Sequence, residues 1–221
     1  FKGLGQYLAG RYGLHYQQGQ DLAAQAKEQV GPDVTMGDQQ AYGSRLAQWL
    51  TGRQIGGQTL TEQDGLQAHD TAVETALAET DKATYQAMEA LVHNLNTMNS
   101  RAGAQVPFSS VNYGTDTSPE GRMVMRNLLL ATDAGLGNGE TPIFPVQIFK
   151  VKEGINYNPQ DPNYDLFQLA IRTSAKRLFP NFSFLDAPFN LQYYKPGDYN
   201  TEVAYMGCRT RVMGNVNDPE R

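Results

Sequence analysis

One thiol, three imidazoles, a glycine-rich pentapeptide, a serine pair and two arginine pairs are the parts of this sequence with chemistry to offer. The thiol is Cys208, the only cysteine, set in Tyr205-Met206-Gly207-Cys208-Arg209-Thr210-Arg211. Guanidinium groups beside a thiol favour the thiolate, and their planar forks suit phosphate oxygens. On composition a lone cysteine is a small buried hydrophobe. Here a glycine precedes it and Arg209 and Arg211 follow it, as at a loop tip. His15, His69 and His93 lie far apart without metal-ligand spacing. With one cysteine, no metal site is expected, and the histidines read as surface or helix-face residues. Gly135-Leu136-Gly137-Asn138-Gly139 looks like a phosphate cradle, yet it follows a helix and precedes a strand, the reverse of the order such cradles need. A flexible helix-to-strand connector is expected instead. Ser109-Ser110 has no G-x-S-x-G elbow and no histidine nearby, which leaves a pair of strand serines. Arg122 and Arg126, four apart on a helix, read as a solvated face.

The elements that must position these groups change character along the chain. Residues 1–100 carry 6 basic and 11 acidic side chains, and residues 101–221 carry 12 of each. The first part reads as helices with glycine-rich connectors: Gln18–Val30, Asp38–Leu50, and a long helix from about Thr61 to Met98 with Leu77, Tyr85, Met88, Leu91, Val92 and Leu95 on one face. Gly65 is expected to split off its first turn, and Gly52 with Gly56-Gly57 breaks the chain before it. The second part alternates. Ala104–Tyr113 reads as a strand, and Ser118-Pro119 as a helix start with its cap. Val124, Leu128 and Ala131 form that helix's buried stripe, and Gly135 supplies a left-handed end. Ile143–Val151 is a strand, Asp161-Pro162 opens a helix to about Phe179, Asn181–Leu185 is a short strand, and Glu202–Met206 leads into the loop of Cys208. That alternation predicts βαβ units and a largely parallel α/β sheet.

Composition bounds the partners. The chain has 221 residues, 18 basic and 23 acidic side chains, and a net charge of −5, which advertises neither a nucleic acid nor an anionic membrane. No apolar run approaches the ~20 residues of a membrane span. A cytoplasmic protein without nucleic-acid or membrane partners is expected. The chain opens at Phe1 inside helix-compatible sequence and stops after the turn-like Asn217-Asp218-Pro219, so a fragment is expected.

Several blocks are together distinctive: Asn94-Leu95-Asn96-Thr97-Met98, Ala102-Gly103-Ala104-Gln105-Val106-Pro107-Phe108-Ser109-Ser110, Glu140-Thr141-Pro142-Ile143-Phe144-Pro145, Asp161-Pro162-Asn163-Tyr164-Asp165, Ser174-Ala175-Lys176-Arg177 with Phe179-Pro180, and Met206-Gly207-Cys208-Arg209. In this order and spacing they resemble the anaerobic (class III, glycyl-radical) ribonucleoside-triphosphate reductases over about 91–216. The resemblance implies part of a ten-stranded α/β barrel of the glycyl-radical enzyme and ribonucleotide reductase type. A helical segment at 1–98 would precede a partial barrel at 99–221, with the finger loop around Cys208.

The resemblance also implies that Cys208 is catalytic, as the thiol that becomes a thiyl radical and attacks the ribose C3′–H bond. Gln105, Ser109, Ser110 and Arg209 are the implied substrate-binding residues. A glycyl radical and a zinc site belong to the family, but their loops are absent from this sequence, as are a second active-site cysteine and an asparagine beyond the finger. The implied partners are ribonucleoside triphosphates in their Mg-nucleotide form, nucleotide effectors, a radical-SAM activating enzyme and, when the protein is complete, a second copy in a homodimer. The isolated chain is expected to be inactive and not to close a barrel.

Two other readings stand beside this one. A glycyl-radical lyase of the pyruvate formate-lyase type shares the barrel and finger cysteine, although such lyases commonly use adjacent cysteines. A noncatalytic interaction module would keep Cys208 as a buried structural residue.

Overall fold

In the computed structural model, residues 1–31, 38–98, 105–207 and 210–214 are described, and the chain divides into two units, Phe1–Lys82 and Ala83–Arg221. The first holds helices α1 (Lys2–Tyr12), α2 (Tyr16–Val30) and α3 (Gln39–Leu50), a hairpin of β1 (Gln54–Ile55) and β2 (Gln58–Thr59), and the start of α4 (Glu62–Thr97). Leu4 and Leu8 of α1, Val30 of α2 and Leu46 and Leu50 of α3 meet Ile55 and Leu60 in its core. Each such side chain contributes about 1.5–3 kcal/mol on burial.

Glycines mark where these helices cross. A Cβ on Gly19 of α2 would run into the carbonyl oxygen of Gly5 on α1. The expected break at Gly65 is instead a crossing: α4 runs through it unbroken, and a Cβ there would lie 2.6 Å from the Ala47 Cα of α3. Gly56 and Gly57, read as a chain break, turn the hairpin at φ of 59° and 80°, the positive angles that a two-residue turn between twisted strands requires. Thr61 then caps α4. Its hydroxyl accepts from the Asp64 N–H at 3.3 Å, while its own N–H donates to the Asp64 carboxylate at 2.9 Å. Beside the hairpin, the Arg53 guanidinium lies 3.8 Å from the centre of the Trp49 ring.

The second unit is the α/β part. Strands β3 (Ser110–Tyr113), β4 (Val146–Val151) and β5 (Asn181–Phe184) alternate with helices α5 (Pro119–Ala134) and α6 (Tyr164–Arg177). The strands lie in the order β3-β4-β5, both pairs parallel, with Asn112 opposite Ile148 and Lys150 opposite Ser183. After β5 come the short helix α7 (Pro188–Leu191), a 3-10 turn at Tyr199–Thr201, and an antiparallel pair, β6 (Ala204–Met206) and β7 (Thr210–Val212). No sheet among the described residues closes on itself. No helix among them is long and apolar enough to cross a membrane.

Alternation gives the parallel sheet two unlike faces. Toward the helices point Tyr113, Phe149 and Phe182, with ring centroids 5.5 and 6.1 Å apart, joined by Phe167 of α6. Met125 and Leu129 of α5 and Leu166 and Ala170 of α6 complete this core. One buried polar chain threads it: Tyr113 Oη donates to Gln147 Oε1 at 2.7 Å, and Gln147 Nε2 to Thr132 Oγ1 at 2.7 Å. Burial pushes the Tyr113 hydroxyl far above the ordinary tyrosine range. The opposite face carries Ser110, Asn112, Val146, Ile148, Lys150, Asn181 and Ser183 by the same alternation.

Several local expectations are met and several corrected. Ser118 caps α5, accepting from the Gly121 N–H at 3.1 Å with Pro119 at the first helical position. The strand expected from Ala104 begins at Ser110, because Pro107 has no N–H to give a ladder; Ala104 itself lies outside the described residues. The buried stripe of α5 is Met125, Leu128, Leu129 and Ala131, whereas Val124 is 44% exposed.

Arg122, read as part of a solvated face, is a staple. It donates to Asn163 Oδ1 at 2.6 Å, to the Asp165 carboxylate at 2.8 Å and to the Pro162 carbonyl. The connector expected to be flexible is tied down as well. Arg177, 9% exposed, donates to the carbonyls of Asp133, Ala134 and Gly139 at 2.7–2.9 Å. Gly135 ends α5 at φ 85° and ψ −169°, positive as expected but outside the left-handed helical well.

Candidate functional site

The site expectation centred on Cys208 falls on the join between β6 and β7. Met206 pairs with Thr210, so Gly207, Cys208 and Arg209 are the three residues linking the two strands. Cys208 and Arg209 lie outside the described residues. Residues 105–207 and 210–214 are described, and they show how the hairpin is held.

Three tethers run from the polar face of the parallel sheet to the segment entering the hairpin. Lys150 of β4 pairs with Glu202 at 2.6 Å, with side chains only 13% and 17% exposed. Asn112 of β3 makes two bonds to the backbone of one residue: its Nδ2 donates to the Tyr205 carbonyl at 2.7 Å, and its Oδ1 accepts from the Tyr205 N–H at 2.8 Å. Ser110, two residues back on the same face, accepts from the Gly207 N–H through Oγ at 3.2 Å. As the tether points descend β3 from Asn112 to Ser110, their partners ascend from Tyr205 to Gly207. The entering strand therefore runs antiparallel to β3.

Gly207 itself has φ 62°, a backbone that glycine adopts without steric cost. Its Cα faces Phe108, whose ring would lie 3.2 Å from any Cβ placed there. Phe108 is 74% exposed and meets Phe144 edge-on at 5.2 Å. The Phe144 segment is in turn fixed by Asn96 near the end of α4. Asn96 Nδ2 donates to the Phe144 carbonyl at 2.6 Å, and its Oδ1 accepts from the Ile143 and Phe144 N–H groups at 2.7 and 3.0 Å.

The sequence-predicted residues separate on this frame. Ser110 lies on the polar face against Gly207. Ser109 stands just before β3, where its carbonyl accepts from the Val146 N–H at 2.9 Å, and its buried hydroxyl has no partner among the described residues. Gln105 lies five residues before the strand and is exposed. Arg211 is drawn to an aromatic ring, its guanidinium 5.6 Å from the centre of Phe189. The histidines do not converge: His69 is buried beside Asp70 at 3.0 Å, His15 precedes α2, and His93 bonds Thr97 on α4. Among the described residues no three His, Cys, Asp or Glu side chains are grouped to hold a metal. Sequence reasoning missed Asn112, Lys150 and Glu202. The available signal was a period of two in Ser110-Val111-Asn112, which puts two polar residues on one face of a strand.

On this sheet face the Ser110 hydroxyl and the Asn112 amide are engaged by the backbone of Gly207 and Tyr205. An aromatic layer backs the other face.

Comparison with known proteins points to the same family as the sequence blocks. Residues 41–221 match the family model of the anaerobic ribonucleoside-triphosphate reductases. The chain is similar to the anaerobic ribonucleoside-triphosphate reductase of Enterobacteria phage T4, at 40% identity over 140 residues, which is 63% of this chain and 22% of that protein. It is similar to those of Salmonella typhimurium and Escherichia coli at 35% identity over 136 residues, 61% of this chain and 18% of each relative. It thus spans between 18% and 22% of the length of these three curated relatives.

Proposed function

This chain belongs to the anaerobic ribonucleoside-triphosphate reductase family, and we propose that it supplies such an enzyme with the part of its catalytic barrel that carries the radical-bearing thiol, Cys208. The complete protein would convert ribonucleoside triphosphates to 2′-deoxyribonucleoside triphosphates without oxygen, for DNA synthesis in the cytoplasm. Residues 1–98 would form a helical segment, and residues 99–221 part of a ten-stranded α/β barrel whose remaining strands lie elsewhere in the complete protein. The observation that carries this reading is the hairpin around Gly207–Thr210, tied at three points to the polar face of a parallel sheet.

In the complete protein a glycyl radical would supply the oxidising equivalent that removes the hydrogen atom from the Cys208 thiol. The sulfur then takes the hydrogen atom from C3′ of the ribose. The 2′-hydroxyl leaves with a proton as water, a two-electron reductant of the formate or dithiol class reduces the sugar, and Cys208 returns its hydrogen atom to C3′. This chain's residues hold the sugar and exclude water. Ser109, Ser110 and Gln105 are proposed to bond the nucleotide, and Arg209 to meet its phosphates or steady the finger. The aromatic layer of Tyr113, Phe149 and Phe182 closes the far side of the sheet, and a dry enclosure suppresses side reactions of reactive intermediates. One cysteine and three dispersed histidines do not make a zinc ligand set, so no step here runs through that metal. Mg-bound nucleotides, nucleotide effectors, a radical-SAM activating enzyme and a second copy of the complete subunit are the proposed partners.

The family match favours this reading over a glycyl-radical lyase or an interaction module. The test is deoxynucleotide formation by the full-length subunit carrying this segment, activated anaerobically, with and without Cys208→Ser. The variant is expected to give none, and so is the 221-residue chain alone. Undiminished turnover by Cys208→Ser would sink the proposal.

A further inference from the structure

We propose that Asn112 is a positioning residue for the Cys208 thiol. It binds the backbone of Tyr205 with its side chain as a neighbouring strand would, and so sets where the strand leading to Gly207, the residue before that thiol in sequence, runs against the sheet. The assignment of a role to that thiol rests on the reading above; the clamp itself rests on geometry alone.

Strands β6 and β7 have three residues each, and a two-stranded ribbon of that length is marginal by itself. Its register is internal, Ala204 to Val212 and Met206 to Thr210, so it says nothing of where the ribbon sits. That is set by its tethers. Tyr205 stands opposite Arg211, and both of its backbone groups turn away from β7 to the amide of Asn112. Only a primary amide presents a donor and an acceptor side by side in this way. Aspartate keeps the acceptor and loses the donor, and alanine loses both. Ser110 adds one bond at Gly207, next in sequence to the thiol.

Position matters to the proposed chemistry because hydrogen-atom transfer needs sulfur and carbon in near contact. A displacement of about 1 Å from a productive geometry costs on the order of 100-fold in rate. The clamp bonds the backbone of Tyr205 and, on this reading, not the nucleotide. Its loss should lower kcat and leave KM unmoved.

Amide exchange on the 221-residue chain tests the clamp without any activity. Asn112→Ala is expected to speed exchange of the Tyr205 amide by about 10- to 100-fold, the cost of one lost bond to a buried group, while α6 amides stay protected. Ser110→Ala should speed the Gly207 amide and spare Tyr205. Asn112→Asp, which keeps the acceptor, should leave the Tyr205 amide protected, and it serves where the alanine variant does not fold. A Tyr205 amide that exchanges in folded Asn112→Ala as it does in the parent chain overturns the clamp.

In the full-length subunit, Asn112→Ala should lower kcat about 100-fold with KM for the nucleotide unchanged. A raised KM with kcat intact would instead make Asn112 a substrate contact and overturn the positioning role. A full-length subunit that makes no deoxynucleotide defeats the reductase reading, and the exchange result still decides the clamp.

Discussion

Replacing Arg177 by methionine removes four hydrogen bonds at a stroke while keeping most of the stem. The guanidinium bonds Asp133 O twice, at 2.9 and 2.7 Å, and Ala134 O and Gly139 O once each, at 2.9 and 2.7 Å. Two of these three oxygens are among the last carbonyls of α5, where a cation also meets the negative end of the helix. Hydrogen bonds to charged groups are worth ~1.5–3 kcal/mol each, but the three acceptors share one cation and Gly139 is open to water. The loss should therefore be well under the sum, at about 3 kcal/mol. Arg177→Lys keeps the charge and loses the fork, so it should recover about 1 kcal/mol of that. Urea unfolding followed by circular dichroism reads both values through a shifted midpoint at constant slope. A methionine variant within ~1 kcal/mol of the parent would mean that water replaces the clamp and that the connector is not held by it.

Two more outcomes follow from the geometry. Leu178 sits at φ 67° and is 79% exposed, a left-handed backbone that a leucine holds at a cost of ~1 kcal/mol with almost no burial in return. Leu178→Asn should accordingly raise stability by about 0.5–1 kcal/mol in the same urea assay, and a loss would refute the strain. In acid, hydrogen bonds from Thr61 hold the Asp64 carboxyl below the ordinary value of 3.8, and those from Ser118 do the same for Asp116. A depressed carboxyl stabilises the fold above the unfolded value and loses that contribution as pH falls through the folded one. The starts of α4 and α5 should thus fray below pH 3.8, and Asp64→Asn with Asp116→Asn should flatten that limb of a pH titration followed by amide exchange.

What was legible in the sequence was local. Ser118-Pro119 announces a helix start because both the cap and the proline act within one turn, and the alternation with helices of the strand read over Ile143–Val151, which forms over Val146–Val151, gives a parallel sheet. Legibility fails where a distant neighbour decides. Gly65 looks like a breaker until α3 passes against it, and Arg122 looks solvated until Asn163 and Asp165, some forty residues on, come to meet it. Asn112 shows locally only that it shares a strand face with Ser110, since its partner is 93 positions downstream. The Gly56-Gly57 turn did carry a readable signal, two glycines between short flanking runs, but strands of two residues are too brief for alternation to show.

The one tryptophan of the chain, Trp49, lies in the first unit with Arg53 stacked on its ring. Its fluorescence therefore reports on the helical unit and is blind to the parallel sheet, whereas Tyr113, Phe149 and Phe182 belong to the second. An unfolding curve read by tryptophan emission and one read by exchange of sheet amides sample different halves of the molecule. Their coincidence would show that the two units melt as one cooperative body. Their separation would give each unit a stability of its own, and the effects of substitutions at Arg177 and Asn112 would then have to be read from the sheet signal alone.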